Sequence, residues 1–374
     1  MSGGVDSSLS AQLLACKDYD LRAVFMRNWD TRDERASDVG CEWERDWEDV
    51  QRVCRYLGIP CQMIDLSRQY WTRVFEPALD EWVRGATPNP DVSCNREIKF
   101  GALFDRVITS PKQWLATGHY AQIAWGRDGQ DYRPKLMRAK DPVKDQTYYL
   151  ASVTEAKLRQ ALFPVGHMTK AEVREDASRC NLPTATRKES MGICFVGERG
   201  HFDEFLSQYI QPTRGNIVDL GGTILGQHNG LHRYTIGQRA GLGGRKSRTF
   251  VAQKRTDTNE IVVVDRGDHP ALMCSSLTVR DWHWVSSVPS QRIDSEEGYP
   301  VICQIRHRMR GIPAQIRRRQ EPPFPGKHLC EITFEEPAHA ATPGQIAVVW
   351  DGDWCLGCGR IDKIRTLHGP SETF

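Results

Sequence analysis

The sequence predicts an α/β N-terminal domain built on a parallel sheet, then a small β-rich central domain, then a C-terminal β-barrel. Over the first half, strand-length apolar runs alternate with stretches of helical periodicity. Beyond about residue 205 the texture changes to short β-rich runs broken by glycine, and a glycine- and serine-rich loop stands just ahead of the first helix. The domain bounds this implies are 1–207, 208–270 and 271–374.

In chain order, residues 7–14 read as a short helix and 22–26 as a buried strand, and Trp43, Trp47, Val50, Cys54 and Leu57 fall at helical spacing. Residues 61–65 give a second strand, 70–84 and 95–107 two helices, and 114–117 a strand ending at Gly118. Alternation of this kind places helices on both faces of a parallel sheet. Farther on, 215–230 and 237–244 are glycine-punctuated, 261–264 is a strand, and 301–305, 329–334 and 345–350 are the strands expected of a barrel, with a turn at 322–325.

With 374 residues the chain is long enough for several cores, and its 39% apolar and 26% charged residues contain no run near the roughly 18 a membrane helix needs. A formal charge of +2 is too small for bulk electrostatics to draw in nucleic acid, so any such contact must use a local basic patch. The twelve cysteines are scattered, which suits a reducing compartment better than a disulfide scaffold. Cys355 and Cys358 form a lone C-x-x-C pair, half the ligands of a zinc site, so no metal site is expected.

Ser2-Gly-Gly-Val-Asp-Ser-Ser8 precedes a helix, where glycines let the backbone approach an anion and helix-start amides donate to it. The hydroxyls add donors, and Asp6 is placed to organise the loop or a magnesium ion. The string resembles the pyrophosphate loop of ATP pyrophosphatases and lacks the Walker A lysine. That resemblance implies activation of a carbonyl oxygen by adenylation, which turns a poor leaving group into a phosphate ester that a nucleophile can displace.

Asn89-Pro-Asp-Val-Ser-Cys94 reads as a turn ahead of the helix at 95, where the helix start would lower the pKa of the Cys94 thiol; a small buried filler is its bland alternative. Cys194, in Ser190-Met-Gly-Ile-Cys-Phe195, is equally able to fill a core. Together these segments resemble the two cysteine motifs of tRNA-specific 2-thiouridylases. Ala116-Thr-Gly-His-Tyr-Ala121, Lys144-Asp-Gln-Thr-Tyr-Tyr-Leu150, His232-Arg-Tyr-Thr-Ile-Gly-Gln238 and Pro343-Gly-Gln345 also look like motifs of that family, in order along nearly the whole chain.

The resemblance implies an adenine nucleotide alpha-hydrolase-like fold that uses Mg-ATP to thiolate the wobble uridine of tRNA. Cys194 would carry a persulfide, Cys94 would release its sulfur by forming a disulfide, and Asp91 would act as acid and base. ATP would meet Ser2, Gly3, Gly4, Val5, Asp6, Ser7, Met26 and Gly118. Asn89, Pro90 and Asp91 match positions at the flipped base, and Lys144, Asp145, Gln146, Arg306 and His307 match tRNA contacts. Arg308, Arg310 and Arg317 to Arg319 add positive charge nearby. The sulfur donor would be a cysteine desulfurase or a relay protein, and no membrane is involved.

The loop motif begins at Met1, so the strand the family sets before it is absent from this sequence. A truncated gene model, a shortened isoform and an impaired protein each account for this, and any organelle presequence would be lost with it. The stretches 46–50 and 70–77 look like those of mitochondrial members, and the expected location is the mitochondrion. The rivals are an adenylating enzyme that delivers an amine, which needs neither cysteine, and a catalytically impaired tRNA-binding member of the family. Iron–sulfur thiolation would want three clustered cysteines, which the sequence does not show near the loop.

Overall fold

The computed structural model describes residues 1–29, 42–128, 131–188, 202–242, 248–286, 293–319 and 329–371. The chain forms two compact units. One comprises Met1–Phe75, Asp91–Gly200 and Asp353–Cys355; the other comprises Glu76–Pro90, His201–Gly352 and Leu356–Phe374.

The first unit opens with α1 (Val5–Ala15), β1 (Ala23–Arg27), α2 (Glu42–Leu57) and β2 (Cys61–Asp65). β1 and β2 pair in parallel, with Ala23 opposite Cys61 and Arg27 opposite Asp65. A parallel pair needs a crossover, and α2 supplies it. Its spacing turns Val50 and Cys54 into a core with Ala23 and Phe25, and Trp43 and Trp47 pack against this core. The Trp47 ring lies 5.5 Å from that of Phe25.

Two helical runs follow. α3 (Ser67–Tyr70) passes through a π-helical segment, Trp71–Phe75, into α4 (Glu76–Val83), which belongs to the second unit. α5 (Pro90–Ser93) passes through a π-helical segment, Cys94–Leu103, into α6 (Phe104–Val107), with a kink at Gly101 (φ −107°, ψ −105°). Both runs start earlier than the sequence periodicity suggests. Pro90 takes the first helical position, where proline loses no hydrogen bond and its φ already fits. Cys94 therefore lies inside the helical run rather than in a turn ahead of it.

The first unit continues with β3 (Leu115–Ala116), β4 (Gln122–Asp128), β5 (Asp131–Met137), α7 (Thr147–Leu150), α8 (Glu155–Leu158), β6 (Ala161–Leu162) and α9 (Lys170–Arg179). β3 pairs in parallel with β6, over two residues rather than the four expected. β4 and β5 form an antiparallel hairpin that was not anticipated, because its polar, weakly alternating sequence gives little period-2 signal. α9 begins with a full capping box between Thr169 and Glu172. α1 is held by a core of Val5, Leu9, Tyr120, Val165, Met168, Val173, Ala177 and Leu182. Among the described residues β1–β2 and β3–β6 are separate ladders, and the Met1 amino group donates to Val24 O.

The second unit adds α10 (Phe202–Leu206), β7 (Gly215–Val218), β8 (Ile224–His228), β9 (Phe250–Arg255) and β10 (Glu260–Val264). The four strands are ordered β8-β7-β10-β9 around Ile217, Leu231, Val251, Ile261 and Val263. The strands β11 (Met273–Trp284), β12 (Tyr299–Gln304), β13 (Ile312–Arg319), β14 (Leu329–His339), β15 (Ile346–Asp351) and β16 (Trp354–Thr366) follow. Their order is β11-β14-β13-β12-β15-β16, and β16 returns to β11 to close a six-stranded barrel, which leaves no open edge. The expected turn at 322–325 lies outside the described residues. Among those residues no helix is long and apolar enough to cross a membrane.

Candidate active site

Ligands of open parallel sheets gather at the carboxyl ends of the strands. Met26 is half-buried near the end of β1, and Gly118 lies two residues beyond β3. The loop 2–4 lies at the start of α1, with Gly4 at the N-cap and no side chain capping the helix. Ser7 Oγ and Ser8 Oγ instead donate to Gly4 O at 3.0 and 2.9 Å, and Ser2 N donates to Ser7 Oγ at 3.2 Å. The hydroxyls fold the loop onto itself and leave the first-turn amides to an anion.

Two glycines are required by close approach. Gly3 has φ +76°, and a Cβ there would lie 2.6 Å from Asp46 O. A Cβ on Gly118 would lie 2.7 Å from Ser7 N and 2.9 Å from Asp6 C, so the backbone after β3 rests directly on the start of α1. Asp6 accepts from Tyr120 Oη at 2.7 Å and from Lys170 Nζ at 2.7 and 2.8 Å. On the other side, Arg187 donates to Gly3 O at 3.1 Å and pairs with both Asp46 and Asp49. Burial pushes the Asp46 carboxyl up, and the Arg187 hydrogen bond pulls it back.

The helical run that starts at Pro90 carries the remaining chemistry. Cys94 is buried, and Asn28 Nδ2, just beyond β1, lies 3.8 Å from its Sγ. Cys94 sits in the second turn of this helical run, past its amide-rich start. Asp91 is one turn earlier; burial pushes its carboxyl up, and the charge of Lys99 opposes this. Asn95 Nδ2 donates to Asp91 O at 3.0 Å, and Lys99 Nζ donates to Asn95 Oδ1 at 3.0 Å. Lys99 Nζ also lies 3.0 Å from Nε2 of the buried His119, whose Nδ1 lies 2.8 Å from Thr117 Oγ1. Burial holds His119 well below its ordinary pKa, and Lys99 lowers it further.

A continuous set of contacts therefore runs from Ser7 through Gly118, His119, Lys99 and Asn95 to Asp91. Arg187, Lys170, His119 and Lys99 were given no role from the sequence. The Thr169-x-x-Glu172 capping signature was the one signal for the helix start that delivers Lys170; Arg187 carried none.

Other expected residues are placed differently. Asp145 is buried and accepts from Arg138 Nη1 at 2.9 Å, Ala139 N at 3.1 Å and Thr147 Oγ1 at 2.8 Å. Gln146 holds the Tyr120 backbone, accepting from Tyr120 N at 2.9 Å and donating its own N–H to Tyr120 O at 2.8 Å. Lys144 N caps onto Asp141 Oδ1 at 3.2 Å. Asn89 and Pro90 fall in the second unit and Asp91 in the first.

In the second unit, Arg306 Nη2 donates to Ile236 O at 2.8 Å, Ala340 O at 2.7 Å and Thr342 Oγ1 at 2.9 Å, so its guanidinium ties barrel and central-domain backbone together. His307 is half-buried beside it, whereas Arg308 and Arg310 are exposed. Arg317 and Arg319 share Glu331 at 2.6 and 2.9 Å. Cys194 lies outside the described residues. Among those residues no cluster of three or more His, Cys, Asp or Glu could hold a metal ion.

The fold and loop define a HUP-type catalytic domain followed by two β domains. Residues 1–198 match the family model described as tRNA methyl transferase HUP domain, 203–265 the tRNA methyl transferase PRC-barrel domain, and 274–361 the aminomethyltransferase beta-barrel domain. The chain is 41% identical over 372 residues to the tRNA-specific 2-thiouridylase MnmA of Alkaliphilus oremlandii, covering 97% of this chain and 96% of that protein. It is 42% identical to that of Bacillus licheniformis and 41% identical to that of Bacillus subtilis, each over 367 residues, 97% of this chain and 94% of the relative. The chain belongs to the tRNA-specific 2-thiouridylase family.

Proposed function

We propose that this chain is a tRNA-uridine 2-sulfurtransferase that uses ATP to replace the C2 oxygen of the wobble uridine with sulfur. The observation that carries this reading is the contact path from the α1 loop through Gly118, His119 and Lys99 to the helix of Asp91 and Cys94. It links the start of α1 to the helix that bears Asp91 and Cys94, which supports a shared site. ATP phosphates would lie against Ser2, Gly3, Gly4, Val5, Asp6 and Ser7, with adenine between Met26 and Gly118. Magnesium would arrive as the counter-ion of the nucleotide, since Asp6 is engaged by Tyr120 and Lys170.

In the first step the uracil C2 oxygen attacks the α-phosphate and pyrophosphate leaves, with Asp91 managing the proton. The terminal sulfur of a Cys194 persulfide then adds to C2 and AMP leaves. The Cys94 thiolate attacks the Cys194 sulfur, which frees 2-thiouridine and forms a disulfide, and a thiol reductant restores both thiols. A cysteine desulfurase or relay protein would reload Cys194. Asn89 and Pro90 would meet the flipped base; Lys144, His307, Arg308 and Arg310 are the basic groups offered to tRNA, while Asp145, Gln146 and Arg306 would shape the surfaces around them. The resemblance at 46–50 and 70–77 supports a mitochondrial location.

The test is nucleoside mass spectrometry of unmodified tRNA incubated with protein, Mg-ATP and a persulfide source. The parent should yield 2-thiouridine and AMP, and Cys194→Ser should release pyrophosphate without 2-thiouridine. Thiolation by Cys194→Ser would remove the sulfur-carrier role. No tRNA-dependent AMP from the parent would leave the tRNA-binding, non-catalytic alternative.

A further inference from the structure

Lys99 stands where the polar groups of the first unit converge, and its hydrogen bonds fix more than its own position. An ammonium group has three donors and no acceptor. One proton goes to Asn95 Oδ1 at 3.0 Å, and Asn95 in turn binds the backbone of Asp91. The other contact, 3.0 Å to His119 Nε2, is a hydrogen bond only if that nitrogen carries no proton. The ring proton must then reside on Nδ1, where it is donated to Thr117 Oγ1 at 2.8 Å. The ring is locked in place, packed 6.3 Å from Phe100 and 6.1 Å from Phe163 between centroids.

We propose that Lys99 is a positioning residue of this site: it holds His119 as the neutral Nδ1–H imidazole and, through Asn95, ties that ring to the backbone at Asp91. The inference deepens the sulfurtransferase reading, which assigns Asp91 its proton-handling role. It distributes tasks between two groups that could each serve as a base. A His119 ring whose Nε2 lone pair is occupied by an ammonium cannot accept a proton, so proton handling falls to Asp91. Burial favours the protonated carboxyl there, and Lys99 counters it. The charge of Lys99 also reaches the α-amino group of Met1. Asp91, His119 and that amine are the titratable groups it acts on across the loop, the β3 end and its own helix.

The experiment is nitrogen NMR of the full chain labelled at histidine, with the His119 signal identified by its loss in His119→Gln. In the parent, His119 should show the neutral Nδ1–H pattern and no titration between about pH 5.5 and 8. Lys99→Met should release the ring, which then changes tautomer or begins to titrate, whereas Lys99→Arg should retain the parent pattern. An Nε2–H ring in the parent, or an unaltered ring in a folded Lys99→Met, overturns the proposal, and the parent spectrum decides even if that variant does not fold. In parallel, the acid limb of tRNA-dependent AMP release should move up in Lys99→Met and stay in place in Lys99→Arg. If the ring behaves as expected but the parent forms no AMP, it is the sulfurtransferase reading that fails, not the positioning role.

Discussion

The loop at the start of α1 and the arginine-rich stretch of the barrel are both dense in polar groups, yet they use them in opposite ways. In the loop, serine hydroxyls and Arg187 satisfy the carbonyls, so the amides at the helix start remain for a ligand. In the barrel, Arg306 is engaged by carbonyls of its own unit, and Arg317 and Arg319 both pair with Glu331. The first leaves backbone donors open to solvent; the second spends much of its charge on scaffold, and Arg308 and Arg310 are its exposed members. Density of polar residues is therefore a poor guide to function until the fate of each donor is known.

The comparison breaks most decisively at Gly3. Gly3→Ala must adopt a left-handed φ and drive its Cβ against the Asp46 carbonyl. The expected result is about a hundredfold weaker ATP binding, roughly 2.7 kcal/mol, in calorimetric titration. Unchanged affinity would mean that the loop is not the nucleotide site.

The next largest effect separates scaffold from recognition. Arg306→Met removes the one nitrogen that donates to Ile236 O, Ala340 O and Thr342 Oγ1, so unfolding stability should fall by about 2 kcal/mol in denaturant melts. Arg308→Ala with Arg310→Ala should leave stability within about 0.5 kcal/mol and reduce the salt dependence of tRNA binding by about two ions. The reverse pattern would make Arg306 the phosphate contact and the exposed pair bystanders.

A pH-dependent effect comes from Lys254, which is 3% exposed and whose Nζ donates to Gly85 O at 2.9 Å and Thr87 Oγ1 at 3.3 Å. Burial pushes its pKa down from 10.5 to about 7. Between these values the unfolded chain binds more protons than the folded one, so stability rises with pH across that window. The rise is at most about 1.4 kcal/mol per pH unit. Relative to Lys254→Met, the parent should gain stability from pH 7 to 10; a constant gap would show that the amine already carries its charge when folded.

How much of this was legible follows from distance along the chain. The loop was readable because its chemistry is local: two glycines, a cap position and a helix lie within eight residues. β1, α2 and β2 were readable because one burial pattern covers each element. The start of the helix bearing Cys94 was missed because Asn89-Pro90 was read as a turn, whereas Pro90 is the first helical residue. Arg187 was not legible, since Gly3, Asp46 and Asp49 are all more than a hundred residues away in sequence. The fate of Arg306 was hidden for the same reason, because a charge run does not announce which distant carbonyls will claim it.

Lys254 also makes the molecule its own reporter. Lys254 is sealed from reagents while the second unit is closed. Acylating probes would reach it only through openings of that unit, so the rate at which this one side chain is marked reads out how often the Gly85–Thr87 segment leading into Asn89 and Pro90 comes loose.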